Sequence, residues 1–175
     1  DVYNLTLDKF KFFDSDRTIA DLRFALIFGS QNNFIVGADF GQKFKSGISL
    51  SLNYNRVSQI GSYANQDTKS TAFGMALRYE TLKQKLNFFG GVISNTNNEA
   101  HNGGVKDLDA ILTSVFKNNI PVFLDDANTR FDYKDVFFQT RYNIDGKPSD
   151  KSVLALGYHL QYHYGSTRYS DVNVV

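Results

Sequence analysis

The feature that most constrains this chain is an alternation with a size difference built into it. Between Phe34 and Asn55, one parity reads Phe34, Val36, Ala38, Phe40, Gln42, Phe44, and the other reads Ile35, Gly37, Asp39, Gly41, Lys43. After Lys45-Ser46-Gly47 the pattern resumes as Ile48, Leu50, Leu52, Tyr54 against Ser49, Ser51, Asn53, Asn55. Successive side chains leave a strand on opposite faces, so two such runs joined by a short glycine-containing turn predict a hairpin. One of its faces is greasy; the other is small and polar, with charges.

The pattern recurs along the chain. From Ile19 to Phe28, Leu22, Phe24, Leu26 and Phe28 oppose Asp21, Arg23, Ala25 and Ile27. From Thr71 to Tyr79, Phe73, Met75, Leu77 and Tyr79 oppose Ala72, Gly74, Ala76 and Arg78. Lys85 to Ser94 is less two-faced, because Phe89 and Ile93 share a parity with Asn87 and Gly91. Val136 to Asn143 sets Phe138, Thr140 and Tyr142 against Gln139, Arg141 and Asn143. Leu154 to Tyr164 is the cleanest, with Leu156, Tyr158, Leu160 and Tyr162 against Gly157, His159, Gln161 and His163. Gly29–Asn32, Thr81–Gln84 and Asp145–Ser149 read as turns or short connections. Residues 1–17 read as an extended lead-in whose apolar parity changes between Leu7 and Phe10, or as an eighth strand.

What the greasy face meets is the central question. No apolar run approaches the ~18–20 residues of a spanning helix, but a spanning strand needs only about 9–11 residues with alternate ones apolar. Three features favour lipid. Aromatic residues close the greasy runs at Phe44, Tyr54, Tyr79, Tyr142, Tyr162 and Tyr164, as at a membrane–water boundary. The runs are longer than ordinary soluble strands. Gly and Ala crowd the polar face. Connections are also short on one rim (Lys45–Gly47, Thr81–Gln84, Asp145–Ser149) and longer on the other (Ser58–Asp67, residues 95–133), the asymmetry of an outer-membrane barrel. The expected fold is all-β: an antiparallel up-and-down transmembrane β-barrel of at least seven strands, a single domain over 1–175 or a fragment of one belonging to a larger barrel. A soluble β-calyx that binds an apolar ligand shows the same alternation and stays open at this point.

The span 95–133 is too long for an ordinary connection and is expected to be an ordered extracellular loop. Leu108, Ile111, Leu112, Val115 and Phe116 recur at helical spacing behind a capping Asp107, and Ile120–Leu124 is apolar. A helix there is expected to lay Leu108, Ile111, Leu112 and Val115 on the barrel mouth or on a partner, as a gating or docking element.

Chemistry is excluded more readily than assigned. Cysteine is absent, which removes thiol chemistry and cysteine metal sites. His159 and His163 share a strand face but lie about 13 Å apart at ~3.3 Å per residue, too far to hold one metal. No nucleophile motif or phosphate loop is present, so no catalytic residue, metal or cofactor is expected. With Lys plus Arg at 19 and Asp plus Glu at 18, nothing draws the chain to nucleic acid. The polar parity is the candidate functional surface: Arg23, Asp39, Lys43, Asn53, Arg78, Arg141, His159 and Gln161 are expected to line an aqueous lumen.

Several stretches carry a resemblance. Leu22-Arg23-Phe24, Gln31-Asn32-Asn33-Phe34, Gly61-Ser62-Tyr63-Ala64-Asn65-Gln66, Asn102-Gly103-Gly104-Val105 and Ile120-Pro121-Val122-Phe123-Leu124-Asp125-Asp126-Ala127 resemble, in order and spacing, the putative porin family of Bacteroidota outer membranes. Ala100-His101 stands where that family has Glu before Asn-Gly-Gly, and Asn-Asn where it has Glu-Gln. Family members are several-fold longer. The resemblance implies a non-enzymatic porin in the bacterial outer membrane that passes small hydrophilic solutes by diffusion. Its partners would be outer-membrane lipid and other outer-membrane proteins in a complex. The alternative is an accessory barrel of a secretion or nutrient-uptake assembly, with its lumen plugged.

Overall fold

A computed structural model describes residues 4–27, 33–81, 85–144 and 154–172. Seven strands form one antiparallel sheet in chain order: β1 (Ile19–Ile27), β2 (Asn33–Lys43), β3 (Ile48–Gln59), β4 (Thr68–Glu80), β5 (Leu86–Ala100), β6 (Asn128–Asn143) and β7 (Ala155–Ser170). Every strand pairs with the next, as an up-and-down meander does, and β1 and β7 stand at the two edges. The expected connections at Gly29–Asn32, Asp145–Ser149 and most of Thr81–Gln84 lie outside the described residues.

Residues directly opposed in a ladder share a face. The row Leu50, Leu77, Gly90, Phe138, Leu160 therefore lies on one side. The row Asp39, Asn53, Gly74, Ile93, Asp135, His163 lies on the other. The greasy side is the exposed one: Leu22 is 83 % exposed, Phe24 69 % and Leu160 54 %, whereas Asp39, Ser51, Asn53, Asn95 and Asp135 on the polar side are buried. In water this inverts the rule for burial, and a sheet-wide apolar surface exceeds what soluble monomers leave uncovered. Hydrocarbon solvates such a face without penalty.

The last three strands outgrow the greasy band. Past Val92 the outward side chains of β5 turn polar (Ser94, Thr96, Asn98), and those of β6 are polar before Val136 (Lys134, Asp132, Arg130). The ladder nonetheless continues to Ala100↔Asn128, and β6 and β7 reach 16 residues each, more than the ~9–11 that suffice to cross. The sequence pattern ends β5 at Ser94 and begins β6 at Val136 because, beyond those points, the outward face offers no apolar residues to alternate with. The connection is therefore 101–127, shorter than the expected 95–133.

The polar side is covered by the chain's own N-terminal segment. Residues 4–17 do not add an eighth strand. They lie on the polar face, and Leu5, Leu7, Phe10 and Phe12 pack there with Ala72, Ala76, Phe89, Ile93 and Phe137 into a small apolar core. This explains the weak polarity of β5: Phe89 and Ile93 face inward to receive the segment. Lys9 and Phe10 both donate their N–H to the Thr6 carbonyl, at 3.0 and 2.9 Å. That turn is what changes the apolar parity after Leu7.

The loop over 101–127 is ordered, but not by its helix. α1 covers only Asp109–Thr113, with Asp107 Oδ1 accepting the N–H of Asp109 at 3.0 Å and of Ala110 at 3.4 Å. Leu108, Leu112, Val115 and Phe116 are exposed, with Leu112 at 87 %, and only Ile111 is half-buried. The helix is shorter than the expected run to Phe116, and among the described residues nothing covers Leu108, Leu112, Val115 and Phe116. The loop is anchored instead by buried Ile120 and Val122. Residues 102–106 pair there with 121–124 through the Val105↔Val122 bridge, Lys106 N–H to Pro121 O (2.9 Å) and Leu124 N–H to Asn102 O (2.8 Å). The turn into that pairing uses Gly103 at φ 65° and Gly104 at φ 100°, a backbone that other residues rarely adopt.

The orientation of the sheet is testable at Leu77, on the exposed face. For a lipid-embedded wall, Leu77→Arg is expected to cost about 2–4 kcal/mol of stability in refolding titrations into bilayers. A water-facing position would tolerate the change within about 0.5 kcal/mol.

Candidate functional site

The polar face is built by small residues alternating with polar ones, and the N-terminal segment is fastened to it through its backbone. Asn95 Oδ1 accepts the Leu5 N–H at 2.8 Å while Asn95 Nδ2 donates to the Leu5 carbonyl at 2.9 Å. Asn53 treats Lys11 the same way, at 2.8 and 3.1 Å. A carboxamide carries the donor and acceptor of a peptide group, so each asparagine acts as one rung of a β-ladder. Ser51 Oγ accepts the Phe13 N–H at 2.9 Å and Asn97 Nδ2 donates to Asn4 Oδ1 at 2.8 Å. Between these rungs the wall must be flat. A Cβ on Gly74 would stand 2.8 Å from Leu5 and Phe10, and one on Gly41 would stand 2.5 Å from Phe13.

Charges complete the attachment. Asp39, only 3 % exposed, receives Lys11 Nζ at 3.0 Å and Arg23 Nη2 at 2.7 Å on the same oxygen. Nearer the short-connection rim, Asp14 meets Arg78 at 2.9 Å and Lys43 at 3.4 Å, and Arg78 also pairs with Glu80. On the β6–β7 side the buried Asp135 pairs with His163 Nδ1, which the Tyr133 hydroxyl approaches to 2.9 Å. Among the described residues several crevices remain; a smaller one, about 180 Å³, is lined by Asp14, Lys43, Arg78 and Glu80 among others, and two bear on the segment. One of about 300 Å³ lies between the segment and β1–β3, with Lys9, Lys11, Arg23, Asp39, Asn53 and Asn55 in its lining. The other, about 330 Å³, is lined by Phe12, Phe89, Arg78, Arg141, Asn87 and Gln139; Phe12 meets Phe89 edge-on there, with ring centroids 5.1 Å apart.

The structure places Arg23, Asp39, Lys43, Asn53, Arg78, Arg141, His159 and Gln161 on one face of the sheet. Lys43 and Arg78 are bridged there through Asp14, and Arg23 reaches Asp39. His159 lies opposite Gln139, and Gln161 opposite Phe137, farther along the same face. Among the described residues no group of three His, Asp or Glu side chains is placed to hold a metal ion. What the sequence pattern did not reveal is the contribution of the N-terminal segment: Lys11 and Asp14 lie far from their partners in sequence. The available signal was the pair of inward apolar residues Phe89 and Ile93 on a face that is otherwise small or polar.

At the opposite rim, Asn65 ties two loops together. It sits at φ 48°, a left-handed backbone that asparagine tolerates better than most residues. Its Nδ2 donates to the carbonyls of His101 (2.7 Å), Ala127 (3.0 Å) and Leu124 (3.2 Å). The Gly61–Gln66 and Ile120–Ala127 stretches thus meet at one side-chain amide, together with His101, which precedes Asn102–Val105.

The chain matches the family described as putative porin over residues 1–175 and belongs to it. Comparison with curated proteins and with solved structures returns no match. The stretches that carry the family resemblance include those that join at Asn65. Asn65→Ala removes the donor shared by three carbonyls and is expected to cost about 1–3 kcal/mol locally. Hydrogen exchange should then accelerate across 101–127 while the β2–β4 ladders keep their protection.

Proposed function

We propose that this chain forms part of the wall of an outer-membrane pore through which small hydrophilic solutes diffuse passively. The observation that carries the reading is the inverted sheet: a greasy face exposed across seven strands, backed by a face of buried carboxylate, amide and hydroxyl groups. A sheet in hydrocarbon must leave no open edge, so further strands close it beyond β1 and β7. The polar face, with Arg23, Asp39, Lys43, Asn53, Arg78, Arg141, His159 and Gln161, then lines the lumen. The long connections on the Asn65 rim face outward and the short ones face the periplasm. A soluble calyx would need its large apolar residues inside, and most of them here point out. Membership of the putative porin family supports the pore and an outer-membrane location.

A second role is favoured for the loop. Leu108, Leu112 and Val115 stand exposed and Ile111 is half-buried, which supports docking of another outer-membrane protein rather than gating.

The full chain in a planar bilayer is expected to give steady ohmic conductance, and in liposomes to admit small sugars while excluding large ones. A folded, heat-modifiable protein that conducts nothing would contradict the diffusion reading and favour a plugged accessory barrel.

A further inference from the structure

The outward face changes character where its greasy band ends. Toward the Asn65 rim, the last aromatic row is Tyr54, Phe73 and Tyr164, with Ser94 and Lys134 between them on β5 and β6. Arg56 stands one row beyond, in line with Thr71, Thr96 and Asp132. The row after that reads Ser58, Lys69, Asn98, Arg130, Arg168 across β3–β7. Rows on one face lie about 7 Å apart and neighbouring strands about 4.8 Å, so these cations share one patch. Asp132 takes Arg130, at 2.8 and 3.0 Å, and Arg56 lies 5.9 Å from the centre of the Phe34 ring. Among the described residues no carboxylate stands within ion-pair distance of Arg56, Lys69, Lys134 or Arg168. Arg130 and Arg168 are directly opposed, and like charges so placed repel. An anion bound at this row relieves that repulsion.

A groove begins directly under the patch. Met75, Val92 and Val136 form the row next below Phe73, Ser94 and Lys134. They line a hollow of about 530 Å³ together with Leu77, Gly90 and Phe138, among others. Gly90 opens it, standing between Leu77 and Phe138 in a row of otherwise large apolar side chains. We propose that this face holds an anionic lipid, with its phosphate on Lys69, Lys134 and Arg168 and one acyl chain in the groove over Gly90. The aromatic row marks the boundary between hydrocarbon and headgroups, the height at which lipid phosphates begin. Each basic group at that height adds to the attraction of an anionic headgroup. The inference rests on the lipid-facing orientation of the sheet in the proposed function, and not on conduction.

The test mixes the full chain, folded in detergent micelles and checked by gel heat-modifiability, with phosphatidylglycerol or phosphatidylcholine. Native mass spectrometry then counts the lipid retained. Wild type is expected to hold phosphatidylglycerol roughly tenfold more strongly. Lys69→Gln/Lys134→Gln/Arg168→Gln keeps the Arg130–Asp132 pair and should bring the two lipids to parity. Gly90→Leu fills the groove and should weaken retention of both lipids alike. Lys45→Gln, at the other rim, should change nothing. Excess inorganic phosphate should not displace the lipid, because it brings no chain to the groove. No preference in the folded wild type overturns the proposal, as does a preference that survives the triple variant; conductance from the same protein then leaves the pore reading standing. Retention that Gly90→Leu leaves unchanged overturns the seat of the chain, and displacement by phosphate overturns the lipid in favour of a bare anion. If the triple variant does not fold, Arg168→Glu decides alone: an unchanged preference sinks the proposal. A chain that stays in water without detergent overturns the lipid-facing sheet, and the pore reading with it.

Discussion

A buried peptide group must find a hydrogen-bond partner, and this one constraint orders the whole molecule. The wall meets it with continuous ladders between consecutive strands. The segment laid on the wall cannot use a ladder, since the strands beneath it already spend their N–H and C=O groups on one another. It uses side chains that imitate the peptide instead, at Asn53 and Asn95, with Ser51 taking a third N–H. At the rim the same device runs in reverse, where Asn65 Nδ2 donates to the carbonyls of His101, Leu124 and Ala127, the last of which also accepts the His101 N–H. In all of these places a side-chain amide or hydroxyl satisfies a backbone group within the protein.

The polar face is therefore two things at once. Against β4–β6 it holds a small apolar core, Leu5, Ile93 and Phe137 among others, formed where Gly74 and the alanines leave room. Against β1–β3 it keeps charge, with Asp39 buried under two cations. Isolated, that carboxylate would be costly to bury; paired twice, it fixes where Lys11 and Arg23 stand. Packing on one half and electrostatics on the other hold the same short segment in a single register.

Strands were legible in the sequence wherever one face was greasy. Leu22–Phe24, Phe34–Tyr54, Phe73–Tyr79 and Leu156–Tyr162 declare themselves because the two faces of the sheet carry different residues on alternate positions. The reading failed where that demand ceases. Ser94–Ala100 and Asn128–Asp135 are paired strand with polar outward residues, so they read as loop. Leu108–Phe116 has the period of an amphipathic helix, yet only Asp109–Thr113 closes a turn, because nothing covers its apolar side. Periodicity reports what a face would like to bury; it does not supply the partner. The N-terminal segment was the least legible. Its contacts are with side chains many residues away, and its own apolar pattern is split by the turn at Thr6–Lys9. Of the polar-face residues, parity alone placed Arg23, Asp39 and Arg78 on one side, but no local signal paired them with Lys11 or Asp14.

The polar extensions of β5–β7 bear on how such a wall reaches its place. On the outward face near the Asn65 rim stand Arg56, Lys69, Arg130, Lys134 and Arg168, in neighbouring rows of the ladder. On the proposed reading, with that rim on the far side of the membrane, these groups would cross the hydrocarbon before the sheet is seated. Each basic group costs about 2–4 kcal/mol at the midplane, so several crossing in step raise a barrier on the order of 10 kcal/mol. Unaided insertion is correspondingly slow, and an assembly route that thins or opens the bilayer gains most from being present. The same barrier faces a seated wall on its way out. On that reading the wall would be kept in the membrane by the slowness of leaving as much as by the depth of its well.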